Sequence, residues 1–171
     1  ASFLISCLKR RKLRARLLEL SFQDALTRFG NRFALSACVK RLDPSQSLTV
    51  IYCDITGLKQ VNDTQGHEAG DALILRCCAC LREVFDGCGL FRLGGDELLV
   101  LCPNISRITA DDLVAKLQKT TKAHSVNLAV GMVWLETLSD DLYRSISEAE
   151  KRMYEDKAAY YQASGIERRR R

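Results

Sequence analysis

The 171 residues are 47% hydrophobic and carry a formal net charge of +5, which suits one core domain with a short appendage. The positive balance does not describe a nucleic-acid-binding face, because ten of the 26 basic residues lie in KRRKLRAR (9–16) and RRRR (168–171) and the middle is close to neutral. The eight cysteines sit in apolar runs such as VIYCDI and LRCCACLREVF, where thiols behave as small hydrophobes, so the chain reads as free thiols in a reducing cytosol and not as a disulfide framework.

In chain order, residues 1–8 are apolar and are followed at once by the basic cluster. Eight residues are far short of the roughly 20 that span a bilayer. An apolar end before basic residues is nevertheless how the cytoplasmic end of a membrane helix looks. Phe3, Leu13, Leu17 and Leu20 also fall near the 3–4 spacing of a signalling helix in a soluble protein. Both readings stay open for residues 1–22. Residues 22–42 alternate at helical period and stop at the Pro and Ser of DPSQS. LTVIYCDI (48–55) is continuous and β-branched enough for a buried strand. A short helical piece (57–63), a turn (64–70) and a long helix (71–85) come next, the last holding Cys77 and Cys80 as buried thiols, since no second pair at metal-ligand spacing follows. LFRLGGDELLVLC (90–102) reads as a hairpin, followed by a helix over about 110–121 and a strand over 126–135. The last helix starts with Ser139 as its cap and places Leu142, Ile146, Ala149 and Met153 on one face. An antiparallel hairpin amid interleaved helices argues for an α+β, ferredoxin-like fold with a mixed, mostly antiparallel sheet flanked by helices, and against a doubly wound parallel sheet. The organisation expected is a signalling or juxtamembrane segment over 1–22, a domain over 23–166 and a basic tail over 167–171.

Two neighbouring acids, Asp96 and Glu97, follow Gly94 and Gly95 at the hairpin tip, and Asp54 is the one acid in the strand that ends at Ile55. Glycines at a hairpin tip are accounted for by a turn alone. The carboxylates are not, because like charges side by side repel unless something positive stands between them. If the strand lies beside the hairpin, Asp54 faces Asp96, and converging carboxylate oxygens suit Mg²⁺ with substrate phosphates as further ligands. Glycines would then let a phosphate approach the backbone. Spacing alone leaves the metal–phosphate site and the decorated turn equally open.

RLGGDEL resembles the signature of the GGDEF family of diguanylate cyclases. DALTRFGNR (24–32) resembles the family's D-x-L-T-G-L-x-N-R, DITGLKQVNDTQGHEAGD (54–71) its D-I-D-x-F-K-x-x-N-D-x-x-G-H-x-x-G-D, and AEKRMYEDK (149–157) its last-helix A-D-x-A-L-Y-x-A-K. The resemblance implies a palm-like nucleotidyl-cyclase core, and a homodimer that condenses two GTP into cyclic di-GMP with loss of two pyrophosphates. It implies that Asp54, Asp96 and the carbonyl of Ile55 hold Mg²⁺ (or Mn²⁺), with Asp96 as proton acceptor, Glu97 beside it and Lys59 on the transferred phosphoryl group. Asn62 and Asp71 match positions that read guanine; His67, Leu58, Gly94, Gly95 and Lys157 match further substrate positions. An upstream sensor or membrane segment is implied as partner, with the domain on the cytoplasmic side.

The departures are specific. Thr56 replaces the second Asp of D-I-D, Leu58 and Leu98 replace phenylalanines, and Tyr161 stands where a basic residue often follows the last-helix lysine. FDGC (85–88) occupies the place of the product-inhibition motif R-x-x-D, so that site is expected to be missing. Two alternatives accompany the cyclase reading. A non-enzymatic relay that binds GTP or cyclic di-GMP is opposed by the intact Asp54, Lys59, Asp96 and Glu97, and an ATP cyclase by Asp71.

Overall fold

In the computed structural model, which describes residues 21–138 and 142–164, five helices and four strands alternate as α1 (Arg32–Val39), β1 (Leu48–Ile55), α2 (Leu58–Gln65), α3 (His67–Val84), β2 (Gly89–Gly94), β3 (Glu97–Pro103), α4 (Arg107–Ala123), β4 (Leu128–Leu135) and α5 (Leu142–Ser164). The strands form one sheet in the order β2-β3-β1-β4, and every pairing is antiparallel. The mixed sheet expected from the sequence is thus purely antiparallel in its strand pairs. The segment over 1–20, the Ser139 cap and the arginine tail lie outside the described residues. No helix among the described residues is long and apolar enough to cross a membrane.

Period-2 alternation sorts the strand residues onto two faces. Leu48, Val50 and Tyr52 of β1, Leu99 and Leu101 of β3, and Ala129 and Val133 of β4 pack with Leu35 of α1 and Leu142, Ala149 and Met153 of α5. Ile51, Cys53 and Ile55, with Leu98, Val100 and Cys102, pack on the other side with Cys77, Leu81 and Leu117 of α3 and α4. β1 is buried along its whole length, which is why it reads as an unbroken apolar run.

β4 is an edge strand, and α5 covers it. Val130 N donates to Asp156 Oδ2 at 2.8 Å, and Arg152 Nη1 donates to Met132 O at 2.8 Å, so side chains of the helix satisfy backbone groups that an open edge would expose. The close crossing depends on Gly131, where a Cβ would collide with Ala149 O and Met153 N.

Residues 22–42 do not form the single helix that their periodicity predicts; the one helix that lies wholly within them is α1, Arg32–Val39. Asp24 Oδ1 accepts from Thr27 N at 2.8 Å and Thr27 Oγ1 at 2.7 Å, a local turn that competes with helix. Arg28 then adopts a left-handed φ of 62°, Gly30 bridges to Phe91 of β2, and Asn31 caps α1 by accepting from Phe33 N and Ala34 N. Leu26 and Phe29 still reach the core, which explains how a turn mimics helical spacing. Elsewhere the helices run longer than the sequence indicates. α3 starts at His67, the turn shrinking to Gly66 with φ 87° and ψ 170°, a conformation open essentially to glycine alone. α4 starts at Arg107 because Ser106 caps it.

The cysteines depart from expectation in one pair. Cys88 and Cys102 form a disulfide, while Cys38, Cys53, Cys77, Cys78 and Cys80 are free. Cys88 precedes β2 and Cys102 lies near the end of β3, so hairpin pairing itself brings them opposite each other.

Candidate active site

The end of β1 brings Asp54 to the sheet margin beside the Gly-Gly turn. The register differs in detail from the expectation: Asp54 lies opposite Glu97, and Asp96 belongs to the turn, tied to β1 by the 3.0 Å hydrogen bond from Ile55 N to Asp96 O. Asp54 is 4% exposed. Lys157 of α5 reaches it with Nζ 2.6 Å from Oδ1, a close ion pair. Burial pushes the Asp54 carboxyl up, Lys157 pulls it down, and the negative Asp96 and Glu97 push it further up, with a net rise. A buried carboxylate with two acidic neighbours and one lysine leaves room for more positive charge.

Two arginines that sequence reasoning passed over hold the turn. Arg92, on β2, donates from Nε and Nη2 to Gly95 O at 3.2 and 2.8 Å and pairs through Nη1 with Asp24 at 3.1 Å. Arg32, on α1, donates to Leu93 O at 2.6 Å, and its Nη2 lies 4.0 Å from Glu97 Oε2. Arg32 thus sets a cation near Glu97, while Arg92 serves Asp24 and the turn carbonyl. The signal was present in the flanking RLGGDEL and DALTRFGNR, but sequence gives no direct indication that residues more than 60 positions apart meet.

Neither Gly94 nor Gly95 has a left-handed φ, so the turn's own conformation does not require them. A Cβ on Gly95 would meet nothing within 4 Å, and one on Gly94 would meet only Glu97 Oε2 and Arg32 Nη2, at 3.6 and 4.0 Å. Open space above two residues without side chains is what a ligand that approaches the backbone would use.

The second cluster lies across β1. Gly57, with φ 83°, starts α2, and the Gly66 junction folds α3 back so that the Asn62 carboxamide lies where a Cβ on Gly70 would be. Asn62 is thereby set beside the helical turn that carries Asp71. Leu58 is buried as an anchor of α2, while Lys59, His67 and Asp71 are exposed. Among the described residues no ion pair joins Lys59 to the carboxylates. No three His, Cys, Asp or Glu side chains gather at metal-binding distances among them either.

Comparison with known proteins places this arrangement. The family model described as diguanylate cyclase, GGDEF domain matches residues 21–162. The chain belongs to the GGDEF-domain family. Within it, the probable diguanylate cyclase DgcF of Escherichia coli K12 is 27% identical over 150 residues, covering 78% of this chain and 48% of that protein. The uncharacterized protein YtrP of Bacillus subtilis is 30% identical over 153 residues, covering 85% of this chain and 26% of YtrP. The chain therefore spans less than half the length of these GGDEF relatives. The fold matches the coiled coil and GGDEF domain of DgcB from Caulobacter crescentus in complex with c-di-GMP, at TM-score 0.75 and 19% identity, over 92% of this chain and 93% of that one. It also matches diguanylate cyclase SiaD of Pseudomonas aeruginosa, crystallised with its activator SiaC, at TM-score 0.75 and 22% identity, over 90% and 65%.

Proposed function

We propose that this GGDEF domain is a diguanylate cyclase, joining two GTP into cyclic di-GMP and releasing two pyrophosphates. The observation that carries the proposal is the buried Asp54 carboxylate, set opposite Glu97 and tied through Ile55 N to the Asp96 turn. Asp54, Asp96 and the carbonyl of Ile55 would supply a hard-oxygen donor set, which fits Mg²⁺ or Mn²⁺ better than a soft-ligand metal. When bound, such a cation supplies charge neutralisation on the triphosphate.

The chain's own residues take the remaining roles. Gly94 and Gly95 leave the backbone open to the phosphates. Lys59, exposed at the start of α2, steadies the charge that grows on the transferred phosphoryl group, and Lys157, already directed at Asp54, adds positive charge for a substrate phosphate. Asn62 offers a carboxamide and Asp71 a carboxylate to the guanine edge, Leu58 fixes their helix by burial, and His67 stands at the junction between the two helices. Asp96, with Glu97 beside it, accepts the proton of the 3'-hydroxyl as that oxygen bonds to the α-phosphorus and the bond to the β-phosphate oxygen breaks. Repeating the step in the opposite direction closes the ring. One site offers groups for one GTP, so two copies of the domain must face each other, each contributing one nucleotide. An upstream sensor or membrane segment would set that pairing, with the domain on the cytoplasmic side.

A second reading, nucleotide binding without turnover, is favoured by the 2.6 Å Lys157–Asp54 contact, which a cation would have to rearrange, and by Tyr161 in place of a basic residue. Incubation of the dimerised protein with labelled GTP and Mg²⁺ separates the two. The cyclase reading expects cyclic di-GMP, and its loss in Asp96→Asn with unchanged circular dichroism. GTP binding without product supports the relay, and full activity in Asp96→Asn removes Asp96 from the chemistry.

A further inference from the structure

The hairpin that carries the Gly-Gly turn is closed at its far end by the Cys88–Cys102 disulfide, a link of 14 residues in sequence that encloses β2, the turn and β3. β2 is an edge strand of the sheet, paired with β3 on one side and met on the other by Gly30, which donates to Leu90 O and accepts from Arg92 N. β3 is held on both sides, by β2 and by β1. Edge strands open at lower free energy than central ones, and β2 contains Arg92 and Leu93, through which the turn is anchored to Asp24 and Arg32. The disulfide fastens the free end of this strand to a central one.

We propose that Cys88–Cys102 is a reversible thiol–disulfide site whose state sets how readily β2 opens, and with it how firmly the Gly-Gly turn is held. Its position supports attack from one side. Cys88 is half-buried, next to a loop whose Gly87 has φ 77°, whereas Cys102 is fully buried. A dithiol reductant therefore attacks Cys88 Sγ, forming a mixed disulfide and releasing the Cys102 thiolate, which takes up a proton. The reductant's second thiol then attacks its own sulfur in that mixed disulfide, freeing Cys88 as a thiol and leaving the reductant as a disulfide. Two electrons and two protons pass from reductant to protein. Oxidised glutathione runs the reaction backwards in two exchange steps, releasing two molecules of glutathione. The neighbouring core cysteines do not compete, because burial pushes Cys77 up to about 12 and Cys78 up to about 11, where thiolate is scarce at neutral pH.

The proposal is independent of the cyclase reading, and its readouts need no nucleotide. The full chain is equilibrated with oxidised glutathione or with dithiothreitol, then subjected to hydrogen exchange and, in parallel, to iodoacetamide labelling with peptide mass mapping. In the oxidised protein Cys88 should resist labelling. After reduction it should label, amides over residues 89–93 should exchange about tenfold faster, those of β1 should be unchanged, and reoxidation should restore the first pattern. Cys88→Ser should exchange at the reduced rate in both buffers. Labelling of Cys88 under oxidising conditions overturns the proposal, as does equal exchange over 89–93 in the two redox states of the wild type. A redox response that persists unchanged in Cys88→Ser assigns the effect to other thiols and overturns it too.

Discussion

Replacing Arg92 by methionine keeps the aliphatic stem but removes the guanidinium that joins the turn carbonyl of Gly95 to the carboxylate of Asp24. The two bonds to Gly95 O share one acceptor at an exposed position, so together they are taken at the low end for a charge-assisted bond, about 1.5 kcal/mol. The partly solvated ion pair adds about 0.5 kcal/mol. The sum, about 2 kcal/mol, corresponds in a chain of this size to a Tm lower by about 4–8 °C. Calorimetry of Arg92→Met, Asp24→Asn and the double variant isolates the ion pair, whose coupling should be about 0.5 kcal/mol.

The pH dependence of that loss has a definite sign. Burial pushes the Asp24 carboxyl up, but hydrogen bonds from Thr27 N and Oγ1 and the Arg92 guanidinium outweigh it and hold it below 3.8. Its contribution is complete above the unfolded value and is lost as pH falls through the lower folded one. The Tm difference between wild type and Arg92→Met should therefore be constant from pH 7 down to about 5. In stronger acid it should shrink to the part supplied by Gly95 O. A Tm unaffected by the substitution at pH 7, or a difference that grows on acidification, refutes the reasoning.

Gly70→Ala should displace the Asn62 carboxamide, since its Cβ would collide with Asn62 Oδ1; overpacking of this kind costs about 1–3 kcal/mol, so Tm falls while GTP affinity, measured by calorimetry with a non-hydrolysable analogue, falls about tenfold. Unchanged affinity would detach Asn62 from guanine recognition. Tyr161→Arg should tighten binding of the same analogue about fivefold at low salt and less at high salt, because a charge-assisted bond exceeds a neutral one by about 1 kcal/mol, and residue 161 follows Lys157 by one helical turn. Tyr161 now stacks edge-to-face on Tyr160, with ring centroids 5.6 Å apart, and Asn127 Nδ2 donates to the Tyr160 hydroxyl at 3.2 Å. No gain in affinity would place the phosphates away from this end of α5.

Parts of the molecule that obey one local rule are legible in the amino-acid sequence alone. β1 is continuous and apolar because it is covered on both faces, and the hairpin is marked by its glycines. The start of the domain is not legible in this way, because Leu26, Phe29 and Phe33 keep a helical spacing while the Asp24–Thr27 turn breaks the backbone between them. The disulfide is hidden by chemistry: cysteines in apolar runs look like any other small hydrophobe. Hairpin arithmetic would have exposed it, since Gly89 pairs with Leu101 and Leu90 with Val100, and the next pair outward is Cys88 with Cys102.

The motif residues themselves divide by what explains them. Asn31, Arg32, Gly57, Gly66 and Gly70 each answer a need of the chain: a cap, an anchored carbonyl, a left-handed φ, a close approach. Their roles are recoverable from the fold whether or not anything binds to it. Lys59, His67, Asp71 and the Gly94-Gly95 pair answer none that the described contacts show. Exposed charge and open backbone of this kind add no evident stability to the domain. A binding partner with phosphate charge and a polar edge would account for all of these at once, so the residues that the fold leaves unexplained add to the reading carried by the buried Asp54.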